Sequence, residues 1–388
     1  MHIAHYASDL WAQGGIATYV ERLAKAQEHA GHTVTWLCHP PPNDQPVPAH
    51  IRVVAPEMLY DTARALRVDV LHAHRLLPEP LPPDIGLIRT MHDHHSGCPS
   101  GTRYLKRSGM PCNRAYAPVG CARMHLQERC GSCRPRKMWG HFDRFWRERE
   151  QSESVLTAAV SMYVQQMMAR AGCPVDNIVV CPSPAPAAEP YIAPPVHAPS
   201  LLYAGRIAPE KGLPWLLDAL ARVDPAVTLH VAGTGTAEAV QAVHTRIAAR
   251  KLGDRVRFHG WCDAAALTSL MSIAWLVVMP SVWSEPAGLV PLDAAAHGRF
   301  IVASDVGGLP EYVAPEASAL VPPNDTDALA NALTKALGNY DRIAHAGKRA
   351  QHHARVTFSA MHTAQAYERL YVQAISDRPV PPLIAPGL

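Results

Sequence analysis

Short apolar runs alternate with longer amphipathic segments along the chain, and the order of these patterns predicts its fold. In the first half, continuous apolar runs predict strands at residues 2–8, 33–38, 51–55, 68–73, 85–91, 155–161 and 177–181. The second half repeats the pattern, with strands predicted at residues 201–205, 227–232, 256–259, 275–279, 300–304 and 319–321. Because strands that alternate with helices form parallel sheets, the chain is predicted to be an α/β protein with two doubly wound domains.

Amphipathic segments fill most of the intervals between these strands. Helices are predicted at residues 17–29, 138–150, 213–221, 287–297, 326–337, 340–355 and 358–376, with a long helix after residue 236 and another opening at residues 307–311. A proline-rich stretch begins at residue 182 and is typical of an extended linker. The predicted organisation is a first domain at residues 1–185, a linker at 186–200, a second domain at 201–357 and a terminal helix at 358–378.

Residues 281–311 carry the clearest candidate site. One helix starts at residues 287–289, and another is predicted to start at residues 307–311, each directly after a buried strand. The free N–H groups and positive dipole end of a helix start bind anions, and in open α/β sheets such starts lie at the ligand crevice. Glu285 on the loop and Asp293 in the helix can accept hydrogen bonds from paired hydroxyls, as on a ribose.

The spacing within this stretch is informative. Glu285 is followed by Pro-Ala-Gly-Leu-Val, then by Asp293 after seven intervening residues, and the chain continues to Ser-Asp-Val-Gly-Gly-Leu-Pro-Glu311. This pattern resembles the donor-site signature of the family 4 glycosyltransferases, which are retaining enzymes with the GT-B fold. The resemblance implies two Rossmann-like domains that face each other across a cleft, with the terminal helix crossing back to the first domain. Asp293 stands where the family usually has the longer Glu.

Two cations precede this stretch on one turn. Arg206 and Lys211 lie in the string GRIAPEKG, where a planar fork and a point charge can hold one diphosphate. Cations on a loop are more often simply solvated, but this string is similar to the GR…KG motif of the same family. The resemblance implies that His92 and Glu285 are catalytic and that the donor diphosphate and nucleoside contact Gly14, Gly15, Arg206, Lys211, Ala287, Gly288, Leu289 and Asp293.

Five of the nine cysteines lie in a basic insertion at residues 97–137. In a cytosolic chain, clustered cysteines indicate metal more often than disulfides, and four thiolates suit a structural zinc. The predicted ligands are Cys112, Cys121, Cys130 and Cys133, with Cys98 as an alternative; disulfides, free thiols and an iron–sulfur cluster remain open. His72 and His74 share a face of one predicted strand, where a structural role is favoured over metal.

Charge and hydropathy limit the other function classes. A net charge of +3 on 388 residues is too weak to indicate nucleic-acid binding. No apolar run is long enough to span a membrane, and the N-terminus lacks the pattern of a signal peptide, so a cytoplasmic protein is expected. The aromatic residues of the helix at 138–150 are predicted to share one face, which either packs on the core or attaches peripherally to the inner face of an anionic membrane. They are Trp139, Phe142, Phe145 and Trp146.

The resemblance and the charged residues together predict a function. We expect a retaining glycosyltransferase that moves a hexose from a UDP- or GDP-sugar to a hydroxyl acceptor, in polysaccharide, glycolipid or glycosylated-metabolite synthesis. The basic insertion suits an anionic or lipid-linked acceptor, although a solvated basic surface is the favoured explanation. Since Arg206 and Lys211 can offset the charge of the leaving diphosphate, catalysis is expected to need no metal ion. The alternatives are a GT-B sugar-nucleotide epimerase or hydrolase, and a zinc-bearing interaction protein with a retired sugar site.

Overall fold

Two parallel sheets organise the computed structural model, which describes residues 1–12, 14–42, 46–187, 189–196 and 199–376. The first nine strands are β1 (His2–Ala7), β2 (Thr33–Cys38), β3 (Ile51–Val53), β4 (Val70–Ala73), β5 (Gly86–Met91), β6 (Tyr104–Leu105), β7 (Met110–Pro111), β8 (Leu156–Ala159) and β9 (Ile178–Val180). Strands β6 and β7 pair with each other as a small antiparallel hairpin. The other seven form one sheet in the order β3-β2-β1-β4-β5-β8-β9.

The second sheet has the same winding. Its strands are β10 (Ser200–Ala204), β11 (Thr228–Ala232), β12 (Val256–Gly260), β13 (Leu276–Met279), β14 (Phe300–Ser304) and β15 (Ser318–Val321), in the order β12-β11-β10-β13-β14-β15. In both sheets the strand order reverses beside the first strand of the domain, between β1 and β4 and between β10 and β13. Ligands of doubly wound folds bind at the carboxyl ends of the strands at such points. The predicted doubly wound architecture is confirmed.

The helices connect these strands and cover the sheets. They are α1 (Gly15–His29), α2 (Leu59–Ala65), α3 (Pro118–Gln127), α4 (Pro135–Ser154), α5 (Met162–Arg170), α6 (Leu213–Leu220), α7 (Ala237–Ala249), α8 (Ala264–Ile273), α9 (Leu289–Ala296), α10 (Thr326–Leu337), α11 (Tyr340–Thr357) and α12 (Ala360–Ser376). Successive side chains of a strand point to opposite faces. Accordingly Ile3 packs with Tyr19 and Tyr367, whereas Ala4 packs with Leu59 on the other face.

The terminal helix α12 belongs to the core of the first domain, as the resemblance implied. Its Tyr367 and Tyr371 are fully buried there, in the cluster that contains residues of α1 and β5. The predicted segment 358–378 also included residues 377 and 378, which lie outside the described residues. Helix α12 therefore follows the second domain in the sequence but packs in the core of the first domain.

The proline-rich linker lies against the second domain. Residues 189–196 form no helix or strand, while residues 188, 197 and 198 of the predicted linker lie outside the described part. The carbonyl of Pro195 accepts a hydrogen bond from Nε1 of Trp275 at 2.7 Å, and that of Pro194 accepts one from the Tyr340 hydroxyl at 2.7 Å. These bonds hold the segment on the surface of the second domain.

Every strand predicted from the sequence is present within two residues of its predicted ends. Two helix predictions need correction. Residues 307–311 open only a 3₁₀ turn, Leu309–Tyr312. Val313 is already extended, and Ala314, which precedes Pro315, is extended as well, so a helix cannot continue. The sequence interpretation also assigned no helix to the residues of α2, α3, α5 and α8.

The aromatic residues of α4 do not share one buried face. Phe145 is fully buried, whereas Trp139 is 76% exposed and Trp146 is 45% exposed. The inward stripe of the helix instead includes Glu148, which is 2% exposed and accepts a hydrogen bond from the buried Arg89 at 2.9 Å. Apolar periodicity alone does not predict the buried face of α4, because a charged residue, Glu148, is part of that face.

This buried ion pair generates a stability prediction. Glu148→Ala should lower the free energy of unfolding by about 3–5 kcal/mol, because it leaves the Arg89 guanidinium buried without its carboxylate. The matched control is Glu21→Ala, which breaks the exposed pair with Lys25 and should cost less than about 1 kcal/mol. Urea denaturation followed by circular dichroism measures both. Equal losses in the two variants would contradict the assigned role of burial.

Candidate active site

The loop after β13 forms the floor of the candidate site. It runs from Pro280 to Gly288, and α9 begins at Leu289. Gly307 has a φ of +58°, and a Cβ at this position would lie 2.2 Å from the carbonyl oxygen of Glu285. The backbone N–H of Gly308 donates to that same oxygen at 2.7 Å. The two glycines after β14 therefore let its loop lie directly against the loop after β13, which fixes the position of Glu285.

Glu285 is buried, with 4% of its surface exposed. Two hydrogen-bond donors hold its carboxylate in position. Nζ of Lys211 donates to Oε1 at 2.7 Å, and the Ser281 hydroxyl donates to the same oxygen at 2.6 Å. Lys211 also lies over the Trp283 ring, 4.9 Å from its centroid. Both bonds reach Oε1, and the described residues make no recorded hydrogen bond to Oε2. One carboxylate oxygen is thus available to a ligand.

Lys211 reaches this position from the turn that follows β10. Gly212 has a φ of +71°, and a Cβ there would lie 1.7 Å from the carbonyl oxygen of Pro280. The backbone N–H of Val282 donates to the carbonyl of Glu210 at 2.9 Å. The turns after β10 and β13, which are adjacent strands, are therefore joined by backbone contacts. The switch point of the second sheet is where the predicted cation and carboxylate meet.

Arg206 lies on the same turn but points elsewhere. Its side chain is 68% exposed and pairs with Glu210 at 3.2 Å. It is placed at the edge of the site and can move, since exposed ion pairs of this kind hold a side chain weakly. The structure thus brings Lys211 and Glu285 into contact and leaves Arg206 nearby without contact to either.

Asp293 is paired with a residue that the sequence interpretation missed. Its Oδ1 accepts a hydrogen bond from Arg22 of α1, which also donates to the carbonyl of Pro184 at 3.3 Å. Burial raises the pKa of Asp293, and the nearby Arg22 charge acts in the opposite direction. No local pattern distinguishes Arg22 from other polar residues of an amphipathic helix, because its partner lies in the other domain. A ribose at Asp293 would have to share this carboxylate with Arg22.

The turn after β1 faces α9 across the domain boundary. Gly14 precedes the first residue of α1, and the position of a Cβ on Gly15 lies 3.9 Å from Cδ1 of Leu289. Ala287 packs against the cores of both domains. Gly288 has little free space, since a Cβ there would lie 2.8 Å from Pro291. The N-termini of α1 and α9 therefore approach each other, and within the described residues no side-chain hydrogen bond caps either of them.

Further hydrogen bonds join the two domains around this point. Nε2 of His94 lies 2.5 Å from the carbonyl of Ser284, and the Ser161 hydroxyl donates to the carbonyl of Pro286 at 2.6 Å. The Glu311 carboxylate accepts from the backbone N–H groups of Met162 and Tyr163 at 2.7 and 2.8 Å, at the start of α5. The sequence interpretation did not single out His94 or these contacts. They hold the loop after β13 against the first domain.

His92 follows β5 and ends a row of three hydrogen-bonded imidazoles. Gln27 presents Oε1 to Nε2 of His5 at 2.8 Å, and Nδ1 of His5 lies 2.9 Å from Nε2 of His74. Nδ1 of His74 lies 2.9 Å from Nε2 of His92. Gln27 donates from Nε2 to the Tyr371 hydroxyl at 2.7 Å, so its Oε1 is the acceptor for His5.

These bonds determine which nitrogen of each neutral ring carries the proton. His5 must donate from Nε2 to Gln27, so its Nδ1 accepts. His74 then donates from Nε2 to His5, and its own Nδ1 accepts from Nε2 of His92. Nδ1 of neutral His92 therefore holds a lone pair, and no partner for it is recorded in the described residues. His92 is partly exposed, so this acceptor can reach the cleft.

Tyrosines of α12 complete the network behind these rings. Tyr371 bonds to Nδ1 of His72 at 2.8 Å, and Nε2 of His72 lies 2.6 Å from Oγ1 of Thr90. Thr90 contacts the Tyr367 hydroxyl at 2.7 Å, which in turn contacts the Tyr19 hydroxyl at 2.7 Å. The structural role favoured for His72 and His74 fits this network, since their ring nitrogens are hydrogen-bonded.

At neutral pH the histidines of the network are uncharged in the folded protein. Burial lowers the pKa of His5 to about 4 and that of His92 to about 4. The pKa values of His72 and His74 lie well below the usual range, first because of burial and then because of neighbouring histidines. A neutral imidazole offers one donor and one acceptor, which is what the row of hydrogen bonds requires.

The cysteines converge on a cavity of about 30 Å³ in the insertion, but the set differs from the one predicted. Cys98, Cys112, Cys121 and Cys130 line it, whereas Cys133 is exposed and donates from Sγ to the carbonyl of His125 at 3.0 Å. All nine cysteines are free thiols. Burial raises the pKa of Cys130 to about 12, and the neighbouring thiols act in the same direction.

In the described residues, no helix has the length and apolarity that crossing a membrane requires.

Two family models match the chain, one in each domain. The model described as "Glycosyltransferase Family 4" matches residues 13–189, and the model described as "Glycosyl transferases group 1" matches residues 198–339. A D-inositol 3-phosphate glycosyltransferase of Jonesia denitrificans is 36% identical over 187 residues, which are 45% of this chain and 44% of that protein. The chain thus spans less than half the length of this relative. A glycogen synthase of Mycobacterium tuberculosis is 27% identical over 93% of this chain and 91% of its own length.

Solved structures resemble the whole chain. Sucrose-phosphate synthase from Thermosynechococcus elongatus superposes with a TM-score of 0.76 at 22% identity, over 97% of this chain and 99% of its own. HepE of Anabaena, in complex with UDP-glucose, superposes with a TM-score of 0.70 at 18% identity, over 96% and 100%. At these identities the likeness concerns the fold, and it confirms the GT-B arrangement predicted from the sequence.

The neutral histidine network predicts how stability depends on pH. A histidine whose pKa is lowered on folding binds its proton more readily in the unfolded chain, so stability falls as the pH drops below 6.5. For His5 alone the loss at pH 4 should approach about 3 kcal/mol, from a pKa of about 4 against 6.5. Urea denaturation between pH 7 and 4 should show this loss. His5→Gln should make stability depend less steeply on pH than in the wild type, whereas His345→Gln, at an exposed site, should not. A pH dependence unchanged by His5→Gln would contradict the lowered pKa of His5.

Proposed function

This chain belongs to the glycosyltransferases of family 4 and group 1, and from that premise we propose that it transfers a sugar from a nucleoside-diphosphate sugar to a hydroxyl acceptor with retention of configuration. The observation that carries the proposal is the contact of Lys211 with Glu285 beside the start of α9. A cation for the diphosphate, an acceptor for sugar hydroxyls and free helix N–H groups meet there. The turn at Gly14 and Gly15 lies opposite.

The diphosphate is proposed to bind at the start of α9. Lys211 has three N–H donors, of which one contacts Glu285, so it can also donate to a phosphate oxygen. The backbone N–H groups of Ala287, Gly288 and Leu289 add the positive end of the helix dipole. The exposed Arg206 can turn from Glu210 to the same anion. Because these groups offset the charge that grows on the departing oxygen, the mechanism calls for no divalent ion.

Glu285 is proposed to bind the sugar. Its Oε1 is occupied by Lys211 and Ser281, which leaves Oε2 for a sugar hydroxyl. Since the carboxylate is held by two neighbours and by the backbone contact with Gly308, it need not reorganise when charge develops at the anomeric carbon. Such preorganised groups contribute roughly 3–4 kcal/mol of transition-state stabilisation each.

His92 is proposed to act as a neutral hydrogen-bond acceptor. The bond from its Nε2 to His74 leaves the Nδ1 lone pair for a sugar hydroxyl on the cleft side. Its low pKa keeps the ring uncharged at neutral pH. Family membership supports a catalytic role at this position, and the imidazole row supplies the physical reason why the ring keeps one orientation and one tautomer.

Retention is proposed to follow from attack on the face that the diphosphate leaves. The bond from the anomeric carbon to the leaving phosphate oxygen breaks as the new glycosidic bond forms. That oxygen is held near Lys211 and accepts the proton of the attacking hydroxyl. Glu285 is bonded to Lys211 and Ser281, which suits it for binding hydroxyls rather than for forming a covalent intermediate. The hydrogen bonds between the domains help to exclude water from this space.

The donor and acceptor are proposed by class. HepE was solved with UDP-glucose, which supports a UDP-sugar, and a GDP-sugar remains the second candidate. Asp293 is the proposed ribose contact, sharing its carboxylate with Arg22. A relative named for inositol 3-phosphate supports an anionic hydroxyl acceptor, in keeping with the basic insertion. We propose a cytoplasmic enzyme of polysaccharide, glycolipid or glycosylated-metabolite synthesis, with peripheral contact to a membrane if the acceptor is lipid-linked.

Substitution of the central pair tests the proposal. Lys211→Ala should lower kcat about 10²–10³-fold and weaken UDP binding, because it removes a cation from the diphosphate. Glu285→Ala should lower kcat similarly but leave UDP binding nearly unchanged, because its contact is with the sugar. A panel of UDP- and GDP-sugars, with nucleotide release and nucleotide binding measured together, provides the readout. Lys25→Ala, at an exposed site, is the control.

The same panel separates the competing functions. Wild-type turnover in either variant at saturating donor would remove that residue from the mechanism. An epimerase or hydrolase would convert the donor without any hydroxyl acceptor. A retired sugar site would bind neither UDP nor GDP.

A further inference from the structure

We propose that Cys98, Cys112, Cys121 and Cys130 form a structural zinc site that holds the insertion together, and that Cys133 is not a ligand. The four cysteines line one cavity of about 30 Å³, a space that suits a single ion. They come from four separate places in the chain: the loop after β5, the residue after β7, helix α3 and the loop after α3. An ion bound by all four would cross-link these segments.

The insertion lacks a core of its own. Strands β6 and β7 have two residues each, and the only buried residue of α3 is His125. The apolar residues Val119 and Leu126 of this helix are 84% and 58% exposed. A small unit that buries so little apolar surface needs disulfides or a metal ion to be ordered. Since all nine cysteines are free thiols, a bound metal ion is the remaining means of ordering the insertion.

A polar side chain at the cavity also lacks a partner. His125 is 1% exposed, it lines the cavity with the four cysteines, and its Nδ1 has no hydrogen-bond partner in the described residues. An unpaired buried nitrogen is costly unless a ligand or its bound groups satisfy it. A zinc–thiolate centre would offer sulfur acceptors to this nitrogen.

The charges around the cavity favour a thiolate complex over a bare cation. Arg103 and Arg114 line the same cavity. They would repel a lone divalent ion, but zinc bound to four thiolates carries two surplus negative charges, which the two guanidinium groups offset. This combination selects a soft, thiolate-bound ion rather than a calcium or magnesium ion, which prefer oxygen ligands.

The other histidine and cysteine groups fit a metal less well. Among the described residues, one group of three could hold a metal ion: His5, His72 and His74 each offer one ring nitrogen, and these nitrogens lie within 4.8 Å of one another. Their nitrogens already bond to each other, to Gln27, to Tyr371 and to Thr90, and no carboxylate faces them. The thiols around the cavity lie farther apart and must rotate inward to enclose an ion. Cys133 is exposed and its thiol already donates to the carbonyl of His125.

Zinc content measured on two matched variants tests the ligand set. The full chain, purified from zinc-supplemented medium and freed of loosely bound metal, should hold about one zinc per molecule by elemental analysis. Cys98→Ser should lose most of that zinc, whereas Cys133→Ser should retain it. Loss in Cys133→Ser with retention in Cys98→Ser would overturn the ligand set. Absence of zinc from the wild type, stoichiometric iron, or disulfides detected by thiol titration would overturn the site itself.

A measurement on the unmodified chain covers the case in which Cys98→Ser does not fold. Exchange of zinc for cobalt(II) should give the intense visible absorption of a tetrahedral centre and the charge-transfer bands of thiolate ligands. Bands typical of oxygen or imidazole ligands alone would contradict the proposal. Both readouts are independent of glycosyl transfer, so the zinc site and the proposed function can fail separately.

Discussion

The bond between Lys211 and Glu285 is the contact on which the site depends. It joins the turns after two adjacent strands, β10 and β13, at the point where the strand order of the second sheet reverses. A lysine and a carboxylate that are largely shielded from water must pair or be solvated, and here each also keeps capacity for a ligand: Lys211 through its other N–H groups and Glu285 through Oε2. The glycines at 212, 307 and 308 allow the backbone approach that brings the pair together.

The domains meet around this pair through polar contacts. Arg22 reaches Asp293, His94 reaches the carbonyl of Ser284, and Glu311 accepts from the first N–H groups of α5. Hydrogen bonds of this kind are directional and individually modest, so they can hold a closed arrangement without the cost of separating a large apolar interface. The contact of Arg22 with Asp293 is of particular interest, because it uses the carboxylate that we propose for the donor ribose. Under that proposal, donor binding and the contact between the domains share one side chain.

A second polar system lies inside the first domain. The row from Gln27 through His5 and His74 to His92 passes from the buried face of the sheet to the cleft, and Tyr371 ties Gln27 to the terminal helix. Helix α12 therefore contributes to the hydrogen bonding that orients a residue at the cleft. This arrangement gives a physical reason for the return of α12 to the first domain: its tyrosines complete a buried network whose members would otherwise lack partners.

Periodicity was enough to establish both sheets and a helix that opens at residues 287–289, because a buried parallel strand is a local apolar run. The family resemblance implied that Lys211 and Glu285 serve one donor site, and it singled out His92. The spacing of the cysteines showed the cysteine-rich insertion. Tertiary structure alone decided that Glu148 faces inward with Arg89, that Arg22 occupies Asp293, that His92 is the end of an imidazole row, and that Cys98 rather than Cys133 lines the cavity. Each of these depends on partners that only the tertiary structure brings together, or on which side of a loop a side chain emerges, and neither leaves a repeating signal in the sequence.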